Sequence, residues 1–518
     1  MKKLLLILFC LSLLTIAQKN ERNHTLDYIM ITFSEWDNYI SKENMSLLSY
    51  KKKTNIETKA QIKYYHKNKL IYDSPINLRL SGNASRTLPQ KSIAVRIIDE
   101  ELQTNRFLYN LFPNREYNDI QEFIIRAHGN QQITLFNDAI ANISLLDHTN
   151  LESSVYRPVI LYINEKYHGL YNIREKKDKD FLSALHNLNK KEIILLELVA
   201  NVFKPNNNDW DNLMYYCLNN DLSKDEHYNY VAAIVDIDNF IDYIIAQCFF
   251  ANTDWPNNNV KIWKTKNSKF RFMFFDCDRG MINTTFNQLE HITGEDQWAK
   301  ERGDKNINQN LIKNTTLIRS LSRNNNFCRK FALRYQDLLN TAFTTQKMYM
   351  HIEHAQSLIE NEIENHVQVW RPTDIYSKER ANKSADDFNR KSYRKSFVLT
   401  SYDHWKENVS ILKNFFKERP AIEFQHLQEK WGFGNLVDLK INVNDKKNGG
   451  LLINTINGLQ YDLEGKFLNK LPINLEAVAR PGYQFDYWEG IDSKESKIMI
   501  QTHEIIGSKI TAHFKLID

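Results

Sequence analysis

The sequence predicts an α+β chain in which strands come first, helices follow, and a small all-β segment closes the molecule. Three observations carry this. Residues 76–80, 92–97 and 159–163 are short strand-like runs, with the period of two that a half-buried strand needs plainest in Ile76-Asn77-Leu78-Arg79-Leu80. From about residue 209 to 433 the apolar spacing turns helical. After residue 436 short strand-like runs return at 439–443, 451–453, 473–478, 497–500 and 510–514, the texture of a compact all-β unit.

Taken in order, the chain opens on Met1-Lys2-Lys3 and an apolar run from Leu4 to Ile16. That run is too short for a bilayer core of about 30 Å, and Thr15-Ile16-Ala17 ends it with small residues, so residues 1–17 read as a secretory leader cut after Ala17. Cys10 suggests a lipoprotein site, but Ile7-Leu8-Phe9 before it lacks the small residues such a site needs. Residues 25–200 form the β-rich part, interrupted by one helix over 135–146, where Leu135, Phe136, Ala139, Ile140, Ile143 and Leu146 recur at helical spacing. Residues 201–433 are helical, with helices expected over 236–250, 317–343 and 347–370 and a strand pair at 259–263 and 270–275. The charged, aperiodic stretch 377–396 reads as a solvated loop. Residues 436–518 make the all-β end.

Composition narrows the function classes. The 518 residues hold 42% hydrophobic and 12% aromatic side chains, too many for a disordered chain. A formal charge of +5, or +3 without the leader's Lys2 and Lys3, gives no basis for nucleic-acid binding. Cys217, Cys248, Cys277 and Cys328 stand far apart with no CxxC, so neither a zinc site nor a disulfide framework is indicated, and they read as buried small side chains. No second apolar run reaches membrane length. His351-Ile352-Glu353-His354 offers two imidazoles on one helix but no third ligand, and no nucleophile-elbow or Cys/His signature appears.

Chemistry concentrates in Asn252-Thr253-Asp254-Trp255-Pro256-Asn257-Asn258-Asn259, a stretch that must be a loop because Pro256 and three Asn residues break a helix. The apolar strand Phe272-Met273-Phe274-Phe275 then opens onto Asp276-Cys277-Asp278-Arg279-Gly280. A carboxylate five residues before an amide, followed by a second acidic turn, is the half-site of a phosphotransferase. One Asp takes the proton of the acceptor hydroxyl, and the Asn and the later Asp hold a hard divalent cation through oxygen. The same spacing also suits an Asx-turn loop and a solvated acidic turn. Upstream, Ser81-Gly82-Asn83-Ala84-Ser85-Arg86 is a polar turn between strands, able to offer backbone N–H groups and Arg86 to phosphates, and Lys91 opens the next strand. Asp138 on the lone helix either orients such a lysine or faces water.

Several motifs in this order resemble the spore-coat CotH kinase-like family of secreted atypical kinases. The resemblance runs over about residues 75–432: Gly82-Asn83-Ala84-Ser85 with Lys91-Ser92; Phe136-Asn137-Asp138-Ala139; Arg157-Pro158; Gly169-Leu170-Tyr171-Asn172-Ile173-Arg174-Glu175-Lys176; Asp238-Asn239-Phe240; Asp254 to Asn259; and Phe275-Asp276-Cys277-Asp278. It implies a two-lobed protein-kinase-like fold, with a β-rich N-lobe and a helical C-lobe, and transfer of the ATP γ-phosphate to protein Ser or Thr with Mg²⁺ or Mn²⁺. Carried over by position, Asp254 becomes the catalytic carboxylate, Asn259 and Asp276 the metal ligands with Asp278 a second candidate, Lys91 the phosphate neutraliser, and Glu175 a residue of the nucleotide hinge. Gly82, Asn83 and Arg86 fall to the phosphate loop.

Two positions depart from the family pattern. Asn164-Glu165 stands where Asn-Gly is common, and Ser81 where an Arg often precedes the loop Gly, which leaves Arg79 or Arg86 to supply that charge. Residues 436–518 are similar to bacterial surface β-repeat modules, through Pro481-Gly482-Tyr483 and Phe485 to Gly490. The expected partner is a Ser-rich surface or envelope protein. The competing expectation is a cell-surface binding protein, an adhesin or pseudokinase, that keeps the fold without catalysis.

Overall fold

The structure is a computed structural model that describes residues 24–33, 57–82, 84–87, 90–98, 109–112, 115–117, 120–128, 134–198, 208–294, 307–370 and 399–517. The expected leader, Asn83 and the 377–396 loop lie outside these residues.

Seven strands come first: β1 (Tyr28–Thr32), β2 (Thr58–His66), β3 (Lys69–Ser81), β4 (Ser92–Ile97), β5 (Glu122–Arg126), β6 (Arg157–Ile163) and β7 (Lys166–Glu175). They close into a barrel in the order β1-β2-β3-β4-β5-β7-β6. Closure comes from a parallel pairing of β1 with β6, in which Tyr28 meets Ile160 and Ile31 meets Ile163. Alternation turns Ile29, Ile62, Leu78, Val95, Phe123 and Leu161 into one buried core. Between β6 and β7 the turn is only Asn164-Glu165, both at positive φ (48° and 66°), the geometry for which Asn-Gly is the favoured pair. The helix α1 (Asn137–Ile143), shorter at both ends than expected, follows β5, and its Phe136, Ala139 and Ile140 join the second, larger core.

That larger core belongs to the helical region: α2 (Lys179–His186), α3 (Asn208–Asn219), α4 (Asp225–Ile234), α5 (Ile237–Phe249), α6 (Gln288–Thr293), α7 (Ile307–Leu321), α8 (Asn325–Leu339), α9 (Thr345–Ile359), α10 (Ile363–Trp370) and α11 (Tyr402–Trp431). A small sheet crosses it in the order β10 (Arg271–Met273), β9 (Val260–Lys264), β8 (Ile194–Leu198). Helix α5 is buried nearly all round, and Asp236 caps it by accepting from the Asn239 N–H. The single helix expected over 317–343 is two. The chain breaks after Leu321, and the Asn324 side chain caps α8 by accepting from the N–H groups of Asn326 and Phe327. Among the described residues no helix is long and apolar enough to cross a membrane. All four described cysteines are free and buried.

The final residues form two sheets, one ordered β13 (Asp462–Leu468), β11 (Leu436–Val443), β17 (Lys509–Leu516), β15 (Tyr483–Glu489), the other β12 (Gly449–Ile453), β14 (Ile473–Ala479), β16 (Lys497–Ile500). Leu439, Ile453, Leu475, Trp488 and Phe514 pack between them. This unit is seated on α8. Asp337 accepts from Asn454 Nδ2 (3.0 Å) and from the Thr455 N–H (2.9 Å) and hydroxyl (2.6 Å), while Gln336 accepts from the Leu468 N–H (2.6 Å).

Candidate active site

Helix α5 delivers the first half of the site. Its last carbonyls, on Cys248 and Phe249, accept from the guanidinium of Arg419 on α11, at 2.7 and 3.0 Å, and Cys248 also takes the Ala251 N–H of the closing turn at 3.0 Å. Arg419 is fully buried, and it also donates to the Thr284 carbonyl and pairs with the buried Glu423. Beyond that anchor the chain turns through Ala251 (φ 48°) into the loop that carries Asp254.

The Asp254 carboxylate accepts from Asn258 Nδ2 (3.1 Å) on one oxygen and Asn259 Nδ2 (3.0 Å) on the other, with Arg279 Nη1 at 3.4 Å. Asn259 sits at φ 61°, a left-handed conformation that Asn tolerates better than most residues. Its Nδ2 also donates to the Asp276 carbonyl (3.4 Å), which leaves Oδ1 as the atom available to a cation. Asp254, Asn259 and Asp276 are thus brought together, with Asn259 as the bridge.

The second half follows β10. Asp276 also adopts positive φ (57°), and its neighbour Cys277 donates its N–H to Asp138 Oδ1 at 2.7 Å. Gly280 closes the turn where a Cβ would stand 2.8 Å from the Phe250 carbonyl, so only glycine lets these two loops approach. The barrel contributes the opposing charge: Arg126, the last residue of β5, places Nη2 2.6 Å from Asp276 and 3.6 Å from Asp278. Burial works against the Arg126 charge, but Asp276, Asp138 and Asp278 together more than restore it. Burial, reinforced by the charge of Asp276, pushes the Asp278 carboxyl well above the usual carboxylate range.

Asp138 neither orients Lys91 nor faces water. It is buried, with Oδ2 2.7 Å from Arg174 Nη2, so it ties β7 of the barrel to the Asp276 loop. Burial would raise its carboxyl, but Arg174, Arg126 and the Cys277 amide outweigh that and hold it low.

The expected phosphate side is built differently from the sequence reading. Gly82 turns at φ 99°, as a tight loop requires, but Arg86 is buried and donates Nη2 back to the Leu80 carbonyl at 2.9 Å. Arg79 pairs with Glu122. Both arginines that could supply the family's missing loop charge are thus already partnered. Lys91 is buried too; its Nζ donates to the Arg86 carbonyl at 2.5 Å, and burial lowers its pKa to about 8. The carboxylate of Glu175, the residue expected at the nucleotide hinge, is buried and accepts from Arg115 (2.7 and 3.2 Å), the Tyr117 hydroxyl and the Val155 N–H (3.2 Å).

Arg126, Arg174 and Arg419 were not legible as site residues. Arg126 ends an ordinary alternating strand, and nothing in its neighbourhood signals the acidic turn it meets 150 residues later. Only Arg279, adjacent to Asp278, carried a local signal.

Among the described residues no group of three or more His, Cys, Asp or Glu side chains could hold a metal ion unaided; His354 is exposed and His351 partly so. The donors present are one amide oxygen and the carboxylates of Asp276 and Asp278. An all-oxygen set of this kind fits Mg²⁺ or Mn²⁺, which usually take one or two carboxylates and complete their shell with phosphate oxygens and water.

The chain is thus a mixed α+β protein with a seven-stranded barrel and an Asp–Asn–Asp cluster that faces a barrel arginine. The family model described as CotH kinase protein matches residues 78–422, about two thirds of the chain, and the chain belongs to that family. No curated protein matches the chain significantly.

Proposed function

We propose that the protein is a secreted or envelope-located kinase that transfers the γ-phosphate of ATP to Ser or Thr hydroxyls of a Ser-rich surface or envelope protein. In this reading the barrel and the helical region are the two lobes of a kinase-like fold. The observation that carries it is the Asn259 bridge, which holds a base candidate and a metal-ligand candidate in one hydrogen-bonded unit.

Asp254 is assigned as the group that receives the acceptor's proton. Asn258 and Asn259 orient its two oxygens, and Arg279 stands beside one of them at 3.4 Å. Asn259 Oδ1 and Asp276, with Asp278 beside it, are assigned to the divalent ion, which when bound supplies charge neutralisation for the transferring phosphoryl group. Lys91, at the start of β4, is assigned to the phosphates, exchanging the Arg86 carbonyl for them.

The test is transfer of label from γ-labelled ATP with Mg²⁺ or Mn²⁺, with and without Ser-rich protein. The Asp254→Ala variant is expected to fold normally and lose transfer by at least about a thousandfold. Parent-like transfer in that variant removes Asp254 from the mechanism. Absence of both label and any nucleotide-induced thermal shift in the parent favours the adhesin or pseudokinase instead.

A further inference from the structure

The side chain of Asp254 is held by Asn258 and Asn259, which belong to the same loop and would move with it. Beneath that loop, side-chain amides tie its backbone to three helices. Gln247, two residues before the end of α5, and Asn252, three residues past that end, are both fully buried. Asn252 Nδ2 donates to Gln247 Oε1 at 2.9 Å, and Asn252 Oδ1 accepts the backbone N–H of Asp254 at 3.3 Å. The Asn252 N–H also returns to the Gln247 carbonyl at 3.2 Å. Two further amides hold the residues that follow. Gln288, at the start of α6, donates to the Trp255 carbonyl at 3.3 Å, and Asn314 on α7 donates to the Pro256 carbonyl at 2.6 Å.

The direction of this relay is set by its chemistry. The Asp254 N–H can only donate, so Asn252 must turn Oδ1 toward it; Nδ2 then faces Gln247, which must answer with Oε1. Turning either amide over would set like groups against each other. Packing alone gives no reason for a glutamine at this place, because Ile244, Ile245, Ala246, Cys248 and Phe249 around it in sequence are all buried and apolar. Burying an amide among them costs free energy that an aliphatic side chain would not. The relay supplies the reason, since it fastens the main chain of Asp254 to a buried helix, and misplacing a reacting group by about 1 Å costs about a hundredfold in rate. We propose, on the kinase reading given above, that Gln247 is a positioning residue for Asp254, acting through Asn252 and taking no part in binding nucleotide or metal.

The test compares the full chain with Gln247→Met, Gln247→Glu, Asn252→Leu and the double variant Gln247→Met/Asn252→Leu. In transfer from γ-labelled ATP, Gln247→Met is expected to lower kcat about a hundredfold while KM for ATP stays within about threefold. Gln247→Glu, which keeps an acceptor oxygen at the same place, is expected to remain within about tenfold of the parent. Because Gln247 acts through Asn252, the double variant is expected to fall no further than Asn252→Leu alone. Hydrogen exchange without ATP is expected to quicken over residues 252–255 in Gln247→Met and to stay unchanged over residues 240–246. Parent-like kcat in Gln247→Met, equal losses in Gln247→Glu and Gln247→Met, or losses that multiply in the double variant would overturn the proposal. Should Gln247→Met not fold, Asn252→Leu cuts the relay from its other end, and parent-like kcat there overturns the proposal instead. A parent that transfers no phosphate refutes the kinase reading and not the relay; equal exchange over residues 252–255 in the parent and Gln247→Met overturns the relay itself.

Discussion

Replacing Arg419 by Met tests the anchor beneath the Asp254 loop. The substitution keeps much of the side chain's volume but removes its hydrogen bonds to the Cys248, Phe249 and Thr284 carbonyls and leaves Glu423, 1% exposed at its side chain, without its main countercharge. Breaking a buried ion pair from one side costs about 3–5 kcal/mol, and the freed helix-end carbonyls add to it less than additively. A loss of about 4 kcal/mol is therefore expected, or about 10 °C in melting temperature for a unit of this size. Glu423 retains the Tyr335 hydroxyl (2.6 Å) and His426 (3.1 Å), so the double variant Arg419→Met/Glu423→Leu removes the stranded charge but also leaves Tyr335 unpaired; about half the loss should return. Differential scanning fluorimetry measures both, and hydrogen exchange over residues 248–260 shows whether the loop loosens with its anchor. A single variant within about 1 kcal/mol of the parent, or a double variant no better than the single, would refute the argument.

Other expectations follow from neighbouring features. Arg126→Ala should tighten Mn²⁺ binding at least threefold in calorimetric titration, since Asp276 and Asp278 lose their resident countercharge; unchanged or weaker binding counts against Asp276 as a ligand. Glu165→Gly should stabilise the barrel by about 1 kcal/mol, read from a urea midpoint, by relieving a non-glycine residue at φ 66°. Asp337 gives a pH test. Burial raises its pKa from 3.8 to about 6 despite the hydrogen bonds from Thr455 and Asn454, so the folded state holds its proton more tightly than the unfolded state. Its contribution is complete below about pH 4 and is lost as pH rises through 6, a change of about 3 kcal/mol in the seating of the C-terminal unit. Urea midpoints should fall from pH 5 to pH 7, and Asp337→Asn should flatten that slope; an equal slope in the variant would contradict it.

Local signals were legible where the backbone itself carries them. Strands β4 and β16 match their expected bounds, and the cap at Asp236 and the break at Pro256 follow from residue chemistry. Closure of the barrel was not legible, because the β1–β6 pairing joins residues some 130 apart and parallel pairing leaves no turn signature. The division between α7 and α8 was hidden by apolar periodicity running through it, although Asn324-Asn325-Asn326 marks a cap in retrospect. Helix α11 carries Pro420 inside its 30 residues, a residue that ordinarily argues against a continuous helix. At the site, Asp254, Asn259 and Asp276 could be read because they lie on short loops beside one small sheet. The partners of Arg86, Asp138 and Glu175 were not legible, because burial, rather than residue type, decided what each side chain meets.

Under the proposed function, the closed barrel also bears on how an acceptor chain is selected. A sheet joined to itself presents no unpaired rim of N–H and C=O groups, so among the described residues the barrel offers no place for a foreign peptide to enter as an extra strand. Open sheet edges do occur on the two C-terminal sheets, at β15 and β16, whereas β13 is covered by Gln336 and Asn340 of the α8 segment. Under the proposed function, a peptide captured there would be tethered by a unit fixed on α8, and the hydroxyl presented to Asp254 would then be chosen by length of chain from the point of capture, a matter of effective concentration rather than of pocket shape.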